Sequence, residues 1–178
     1  NADATMETNI DVMKLGSKVT AITYEGYTFK GAAKATTYGA DTWAGRSKAG
    51  NTTTENDLTL DSGSHTNIYG GWTSGAGSTA NAAKQKNSIG NKATVKGAAT
   101  ATGAVIGGLT DVAGGKATGN TVTVEKNLAA NIIGGKAAAE ASNNTVNLSN
   151  ATVNSVTGGE GATTNNNIVN LKGNAQVT

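Results

Sequence analysis

The side chains best suited to recognition are concentrated in one part of the sequence. All seven aromatic residues lie between positions 24 and 72, together with the only Arg and the only His of the chain. Trp43, Arg46 and Trp72 are the best candidates for ligand contact, because flat aromatic faces suit glycans and protein interfaces. The alternative interpretation is that Trp43 and Trp72 pack within the fold.

Catalytic chemistry has little support. The 12 acidic residues are dispersed, and none recurs in the Gly-Gly-x-Gly-x-Asp arrangement that binds calcium in a β-roll. His65 has no Ser or Cys arrangement beside it, and one His cannot build a usual metal site. Asp57 and Asp61 would lie near Lys86 and Lys92 only if the repeat register holds. We therefore predict no enzymatic activity, no cofactor and no metal.

Composition narrows the class of protein. The net charge is +2 and the basic residues are scattered singly, so we expect no nucleic-acid partner. The absence of Pro suits a backbone whose N–H groups are needed for β-ladders. The absence of Cys excludes disulfides and fits an exported protein. Since "NADATMETNIDV" is not a secretory signal, we expect a processed product or an excerpt of a longer chain, continuing beyond Thr178.

The strongest signal is an internal repeat. "NTVTVEKNLAANIIGGK" and "NTVNLSNATVNSVTGGE" start at Asn120 and Asn144, and both place Gly-Gly 14 positions after the Asn. This template predicts repeats over residues 25–178, starting near 25, 56, 91, 120, 144 and 167, with an incomplete last copy. Residues 1–24 match poorly and are interpreted as an atypical rung or the end of a preceding one. Because length varies mainly between the Gly-Gly and the next Asn, the pattern indicates a solenoid.

The repeat unit is predicted to be stranded rather than helical. Apolar residues at two-residue spacing, β-branched residues, and Gly or Asn at the breaks are typical of short strands. We therefore predict an all-β fold, a parallel β-helix (β-solenoid) with about 23–35 residues per rung. Val122 and Val124 would then point inward and stack on the neighbouring rung.

Two repeated features are expected to join the rungs. The repeated Asn predicts a structural ladder in which each side-chain amide bonds to the next; its members are Asn56, Asn91, Asn120, Asn144 and Asn167. The Gly-Gly pairs predict a corner, where positive φ or a close backbone approach is needed; they are Gly70, Gly71, Gly107, Gly108, Gly134, Gly135, Gly158 and Gly159. In the weak first copy, which starts at Glu25, Tyr38 followed by Gly39-Ala40 takes this place.

The template also defines two further columns, meaning sets of residues that occupy the same position in successive repeats. Four aromatic residues occupy positions that are Leu or Ile in other copies, so they are expected to fill the core of wider rungs; these are Tyr27, Phe29, Tyr38 and Tyr69. A polar column faces outward and comprises Thr28, Thr59, Thr94, Thr123, Asn147 and Asn170. A flat Thr array can bind ice or glycans, but a solvated sheet face is the favoured interpretation.

The repeat resembles a known family. "NTVTVEKNLAANIIGGKAAAEASNNTVNLS", together with "NIYGG", resembles the repeat units of large autotransporter passengers from Gram-negative anaerobes. The resemblance covers residues 25–178 and implies a long right-handed β-helix that is exported through a C-terminal outer-membrane β-barrel and displayed on the cell surface, commonly as an adhesin. Membrane contact is then expected only through a barrel that this sequence does not contain.

These features together predict an extracellular, surface-displayed segment of an adhesin. Excursions near residues 40–50 and 72–86 would offer contact surface to a protein or glycan of a host or of another bacterium. The alternative is a self-assembling extracellular fibre, in which open solenoid ends associate by strand addition. A polysaccharide-acting β-helix enzyme is the third hypothesis, and it would need clustered acids that the sequence does not show.

Overall fold

The structure is a computed structural model that describes residues 10–12, 18–24, 27–29, 41–47, 50, 52–75 and 86–178, the first three ranges by their backbone alone. All regular structure within these ranges is β-strand, and they contain no helix suited to crossing a membrane. Parallel strands stack as a β-solenoid of about five turns with about 26 residues per turn, which confirms the predicted fold class. The right-handed sense of the coil stays a prediction.

The described strands are short and follow one another closely along the chain. In chain order they are β1 (Ile10–Val12), β2 (Lys18–Tyr24), β3 (Tyr27–Phe29), β4 (Thr42–Ser47), β5 (Thr53–Leu60), β6 (Ser64–His65), β7 (Ile68–Thr73), β8 (Ser88–Ile89), β9 (Lys92–Val95), β10 (Thr100–Ala101), β11 (Ala104–Thr110), β12 (Lys116–Thr118), β13 (Thr121–Val124), β14 (Leu128–Ala137), β15 (Glu140–Ser142), β16 (Thr145–Ser149), β17 (Thr152–Glu160), β18 (Ile168–Lys172) and β19 (Gln176–Val177).

Successive turns build two main sheets. The first sheet stacks β4, β7, β11, β14, β17 and β19 in parallel, with β1 antiparallel on β4. The second sheet has two halves that share β5. Thr53 and Thr54 of β5 pair with β8, followed by β12 and β15, whereas Asp57 to Leu60 pair with β9, followed by β13, β16 and β18. The chain therefore folds sharply within β5, between Thr54 and Asp57. A small third sheet pairs β6 with β10.

The core is a set of in-register apolar columns. Val122 lies between Ala93 and Val146, and Val124 lies between Val95 and Leu148. Both valines are fully buried, as the alternation of strand side chains predicts. Across the interior the first sheet contributes a facing column, which comprises Ile68, Val105 and Ile132.

The predicted Asn ladder is present inside the solenoid. Each Asn donates a side-chain N–H and its main-chain N–H to the Oδ1 of the Asn on the next turn; from Asn91 to Asn120 these bonds are 3.1 and 3.0 Å long. The second side-chain N–H of Asn120 donates to the carbonyl of Ser88, one turn back, at 2.9 Å. The same pattern runs from Asn56 to Asn167. Because their polar atoms find these partners, the carboxamides of the inner turns can be buried.

Of the two conditions predicted for the Gly-Gly pairs, the close approach is present and the positive φ is not. They lie inside strands of the first sheet, and none has a positive φ. Their role is a close approach to the ladder, since a Cβ on Gly135 would lie 2.5 Å from Oδ1 of Asn144. The strand also bends here, because the rings of Tyr69 and Trp72, three residues apart, lie 4.8 Å apart on the same face.

The sharp corners instead lie immediately before the ladder. The residue preceding each ladder Asn has a φ between 50° and 66°; these residues are Glu55, Gly90, Gly119, Asn143 and Asn166. This left-handed conformation is accessible to Gly and tolerated by Asn, but it is strained for a residue such as Glu.

The start of the stack differs from the template. Residues 27–29, which the template assigns to a first copy, form β3, which pairs antiparallel with β2. In turn, β2 pairs antiparallel with β5. The counterpart of Gly70-Gly71 in the first parallel turn is Ala44-Gly45 of β4, since Gly45 pairs with Gly71. Glu25, Tyr38 and Gly39-Ala40 lie outside the described residues.

Replacing Glu55 with Asn is expected to stabilise the protein. A left-handed backbone costs a residue with a Cβ about 1–2 kcal/mol, and Asn relieves part of this, so we expect a gain of about 0.5–1 kcal/mol in the free energy of unfolding. Urea unfolding measures the gain. Glu125→Asn is the matched control, because Glu125 is also exposed but has no positive φ. Equal gains in the free energy of unfolding in both variants would show that the effect does not come from relief of backbone strain at residue 55.

Replacing Asn120 with Ala is expected to destabilise the protein by about 2–5 kcal/mol. The change leaves two donors of Asn91 without an acceptor and removes one of the two donors to the Oδ1 of Asn144, whose bond from the main-chain N–H of residue 120 remains; each buried unsatisfied group costs about 1–3 kcal/mol. Asn170→Ala is the control, since Asn170 is half-buried and makes one outer-column bond to Asn147. Losses of similar size in both variants, measured by urea unfolding, would argue against the ladder as the main stabilising element.

Candidate functional site

The three residues predicted to contact a ligand lie together. Trp43 and Arg46 are on β4, and Trp72 is on the adjacent β7, where Arg46 and Trp72 are register partners. The guanidinium carbon of Arg46 lies 3.6 Å from the ring centroid of Trp72 and 5.3 Å from that of Trp43. The two indoles meet edge to face, with their centroids 6.0 Å apart. We call these residues and Tyr69 the aromatic–arginine cluster.

The cluster lies on the outer face of the first sheet. Ile68 points into the core, so the next residue, Tyr69, points outward. Tyr69 is buried in the column of Ile106 and Ile133, as the template predicts, but this column belongs to a second hydrophobic cluster, which also contains Leu109 and is separate from the cluster that contains Ile68. The Gly-Gly bend produces this group by turning the outward side chains on either side of it toward each other.

The bend in each strand thus creates an apolar seam along the outside of the solenoid. The seam changes character from turn to turn within two register columns. It begins with the indoles and guanidinium on β4 and β7, becomes aliphatic at Ile106 and Leu109 on β11, and ends with an ion pair between Lys136 and Glu160, whose Nζ and Oε1 lie 2.6 Å apart. The cluster is the part of the seam with both aromatic and cationic character.

Two carboxylates flank the cluster. Trp72 donates its indole N–H to Asp111 at 2.6 Å, and Asp41 accepts a bond from the side chain of Asn67 at 2.7 Å. Burial, together with these two negative charges, raises the pKa of Tyr69 to about 12, although Arg46 acts in the opposite direction. The Tyr69 hydroxyl therefore stays protonated at neutral pH.

Arg46 carries an unsatisfied atom. Its Nε is buried and has no hydrogen-bond partner. Two ion pairs join described residues, Lys116–Glu140 and Lys136–Glu160, and Arg46 belongs to neither. A cation held against indole rings without a paired anion can attract an acidic or hydroxyl-rich group, which suits binding rather than bond-making chemistry.

The remaining candidates are positioned as structural elements. His65 is buried, with its Nδ1 2.8 Å from the hydroxyl of Thr42 and its Nε2 3.3 Å from the carbonyl of Ser62. Asp57 and Lys92 are register partners on β5 and β9. Across the described ranges, no three His, Asp or Glu side chains are grouped so that they could hold a metal ion.

The outward polar column is continuous in the structure. Thr59, Thr94, Thr123, Asn147 and Asn170 are in register and half-buried. The two Asn side chains are linked by a bond of 2.9 Å. Thr28 belongs to the column by the template, but its side chain lies outside the described residues. Much of the two predicted contact excursions also lies outside the described residues, namely residues 40, 48–49 and 76–85.

The sequence identified Trp43, Arg46 and Trp72 as candidates, but the predicted register did not place them side by side on adjacent turns. A signal was available: Trp43-Ala44-Gly45-Arg46 aligns without a gap on Tyr69-Gly70-Gly71-Trp72. That alignment places a cation beside an indole on adjacent turns. Comparison with protein-family models, with curated proteins and with solved structures finds no match to this chain.

Protonation of His65 is expected to lower stability in mildly acidic solution. Burial lowers the pKa of His65 below its usual 6.5, more strongly than the bond to the Ser62 carbonyl raises it. Between the two pKa values the unfolded chain binds the proton and the folded chain does not. The stabilising contribution is therefore complete above about pH 6.5 and falls as the pH drops below it, by at most about 1.4 kcal/mol per pH unit.

Urea unfolding at pH 7.5, 6.5, 5.5 and 5.0 measures this dependence. The variant His65→Gln cannot titrate in this range, so its stability should change less with pH than that of the unaltered protein. Identical slopes in the two proteins would show that another group is responsible.

Proposed function

We propose that this chain is a surface-displayed β-solenoid segment of an autotransporter adhesin. The stacked turns act as a stiff scaffold that presents the aromatic–arginine cluster to a glycan or protein on a host or bacterial surface. The observation that carries the proposal is the position of Trp43, Arg46 and Trp72, which lie together outside the main core and take no part in the Asn ladder. Aromatic residues and Arg are the side chains most enriched where binding energy is concentrated.

The repeat pattern supports the same proposal. Its likeness to autotransporter passengers extends over the parallel turns of the solenoid, from β5 to β18. Display outside the cell is part of the proposal and is tested by antibody labelling of intact cells that express the protein. Labelling that requires permeabilised cells would contradict it.

A second candidate is a self-assembling extracellular fibre. It is favoured by the parallel, in-register stacking of the turns, a geometry that a further copy can extend by strand addition.

Binding to a panel of immobilised glycans and cell-surface proteins tests the adhesin proposal. Arg46→Ala and Trp72→Ala are each expected to lower affinity by about tenfold, since a central interface side chain typically contributes more than about 1 kcal/mol. Lys136→Ala is the matched control, because Lys136 occupies the same column as Trp72, two turns away, and is well exposed.

The control variant should retain its affinity, and circular dichroism should show that all three variants keep the β-fold. Equal binding by all variants would place the contact surface elsewhere on the chain. Absence of binding to the whole panel would count against the adhesin and leave the fibre.

A further inference from the structure

The aromatic–arginine cluster is surrounded by charges of both signs. Asp41, Asp111 and Arg46 all act on the pKa of Tyr69, which the two carboxylates raise and the guanidinium lowers. All three charged groups therefore lie within electrostatic range of the Tyr69 hydroxyl. Because two of them are negative and one is positive, the surroundings of this hydroxyl carry an excess of negative charge.

The charged groups of the cluster have hydrogen-bonding capacity that the fold does not use. Asp111 is exposed and accepts the indole N–H of Trp72 through its Oδ2, at 2.6 Å. Asp41 accepts the side chain of Asn67 through its Oδ1, at 2.7 Å. Arg46 is half-buried, and its Nε has no partner. A carboxylate only accepts and a guanidinium only donates, so a ligand that satisfies both kinds of group must itself donate and accept.

The indole of Trp72 sets the spacing between a guanidinium and a carboxylate. Arg46 lies over the face of this ring, with its guanidinium carbon 3.6 Å from the centroid, whereas Asp111 lies at the ring edge and accepts its N–H. The ion pairs of the described residues do not join these two side chains. Two adjacent hydroxyls of a sugar can bridge them, since one hydroxyl donates to the carboxylate and its neighbour accepts from the guanidinium.

The charges around the cluster disfavour an anionic ligand. A carboxylated or sulfated group would be attracted by Arg46 but repelled by Asp41 and Asp111. A third acidic residue, Asp11 of β1, is the register partner of Arg46 on the edge of β4. A cationic ligand would in turn be repelled by Arg46. A neutral group with several hydroxyls meets neither repulsion.

The extent and the aromatic content of the cluster also suit a sugar. Its groups lie on three neighbouring strands, from β4 through β7 to the end of β11, which is a distance of about 10 Å at ~4.8 Å per strand. One or two sugar rings match this length. Trp43 and Trp72 are half-buried, so part of each indole can pack against the C–H groups of a sugar ring.

We propose that the aromatic–arginine cluster binds a neutral glycan, in which two adjacent hydroxyls bridge Asp111 and Arg46 beside the Trp72 ring. This specificity rests on the proposed adhesive function and narrows its ligand from a glycan or protein to an uncharged sugar. Asp111 has two roles in it. Its carboxylate accepts a sugar hydroxyl, and its charge rejects the acidic form of the same sugar.

Matched sugars test the role of charge. Oligosaccharides of glucose, galactose and mannose are compared with oligosaccharides of the corresponding uronic acids at physiological salt. We expect the chain to bind at least one neutral sugar about tenfold more tightly than its uronic acid. Asp111→Asn keeps an acceptor for the indole N–H but removes the charge, so this ratio should fall to about one. Asp61→Asn is the matched control, because Asp61 is exposed and follows β5 in the second sheet, and it should keep the ratio unchanged.

Mild periodate tests the adjacent hydroxyls, because it cleaves the bond between two carbons that carry them. Treatment of the bound glycan with periodate, followed by reduction with borohydride, is expected to abolish binding. Binding that survives this treatment, uronic acids bound as tightly as neutral sugars, or a ratio that Asp111→Asn does not change would each overturn the proposal. Binding of proteins but of no glycan, weakened by Arg46→Ala, would also overturn it while the adhesin proposal stands. Absence of binding to glycans and proteins alike would reject both.

Discussion

The solenoid depends on supplying hydrogen-bond partners to Asn side chains that are buried away from water. An Asn carboxamide has two donors and two acceptor positions, and none can be left empty inside a protein without a cost in stability. The ladder meets this condition by joining each Asn to the turns before and after it. The paired Gly residues of the opposing sheet make the condition compatible with close packing, since a Cβ at Gly135 would collide with Asn144. The Asn ladder on one sheet therefore requires Gly, which has no side chain, at the facing positions of the opposing sheet.

This constraint explains which parts of the sequence are fixed and which are not. The ladder Asn, the two inward apolar residues after it, and the Gly pair repeat because they share one interior. Between Gly108 and Asn120 the chain needs only to return to the corner, so the length there can change without altering the core. Outward positions such as Trp72, Leu109 and Lys136 differ in chemistry although they share one column. Such a scaffold can change its surface while its interior stays the same.

Much of the fold could be predicted from the sequence because the same side-chain types recur at the same positions of each repeat. The period-2 apolar residues and the Asn column indicate the core and the ladder directly. The Gly pairs indicated a change of direction at Gly70-Gly71, but the second hydrophobic cluster that contains Tyr69 was not predictable, since it depends on how the strand bends there. The first turn was misaligned because Ala44 stands where later turns have the first Gly of the pair, so the template took Gly39-Ala40 in its place. The corners were missed because Glu55 obscures a pattern that Gly90 and Gly119 otherwise show.

The direction of the ladder gives the rod an electrical polarity. Every carboxamide from Asn56 to Asn144 directs one side-chain N–H toward the following turn, and from Asn91 onward its C=O accepts from the preceding one. Aligned amide dipoles add, and hydrogen bonding in a chain strengthens each of them. Within the described stack the ladder dipole therefore has its positive side toward the later turns and its negative side toward the first, which is the reverse of the sense found along an α-helix. Each step of the ladder adds to a potential difference along the stack even where no side chain bears a formal charge.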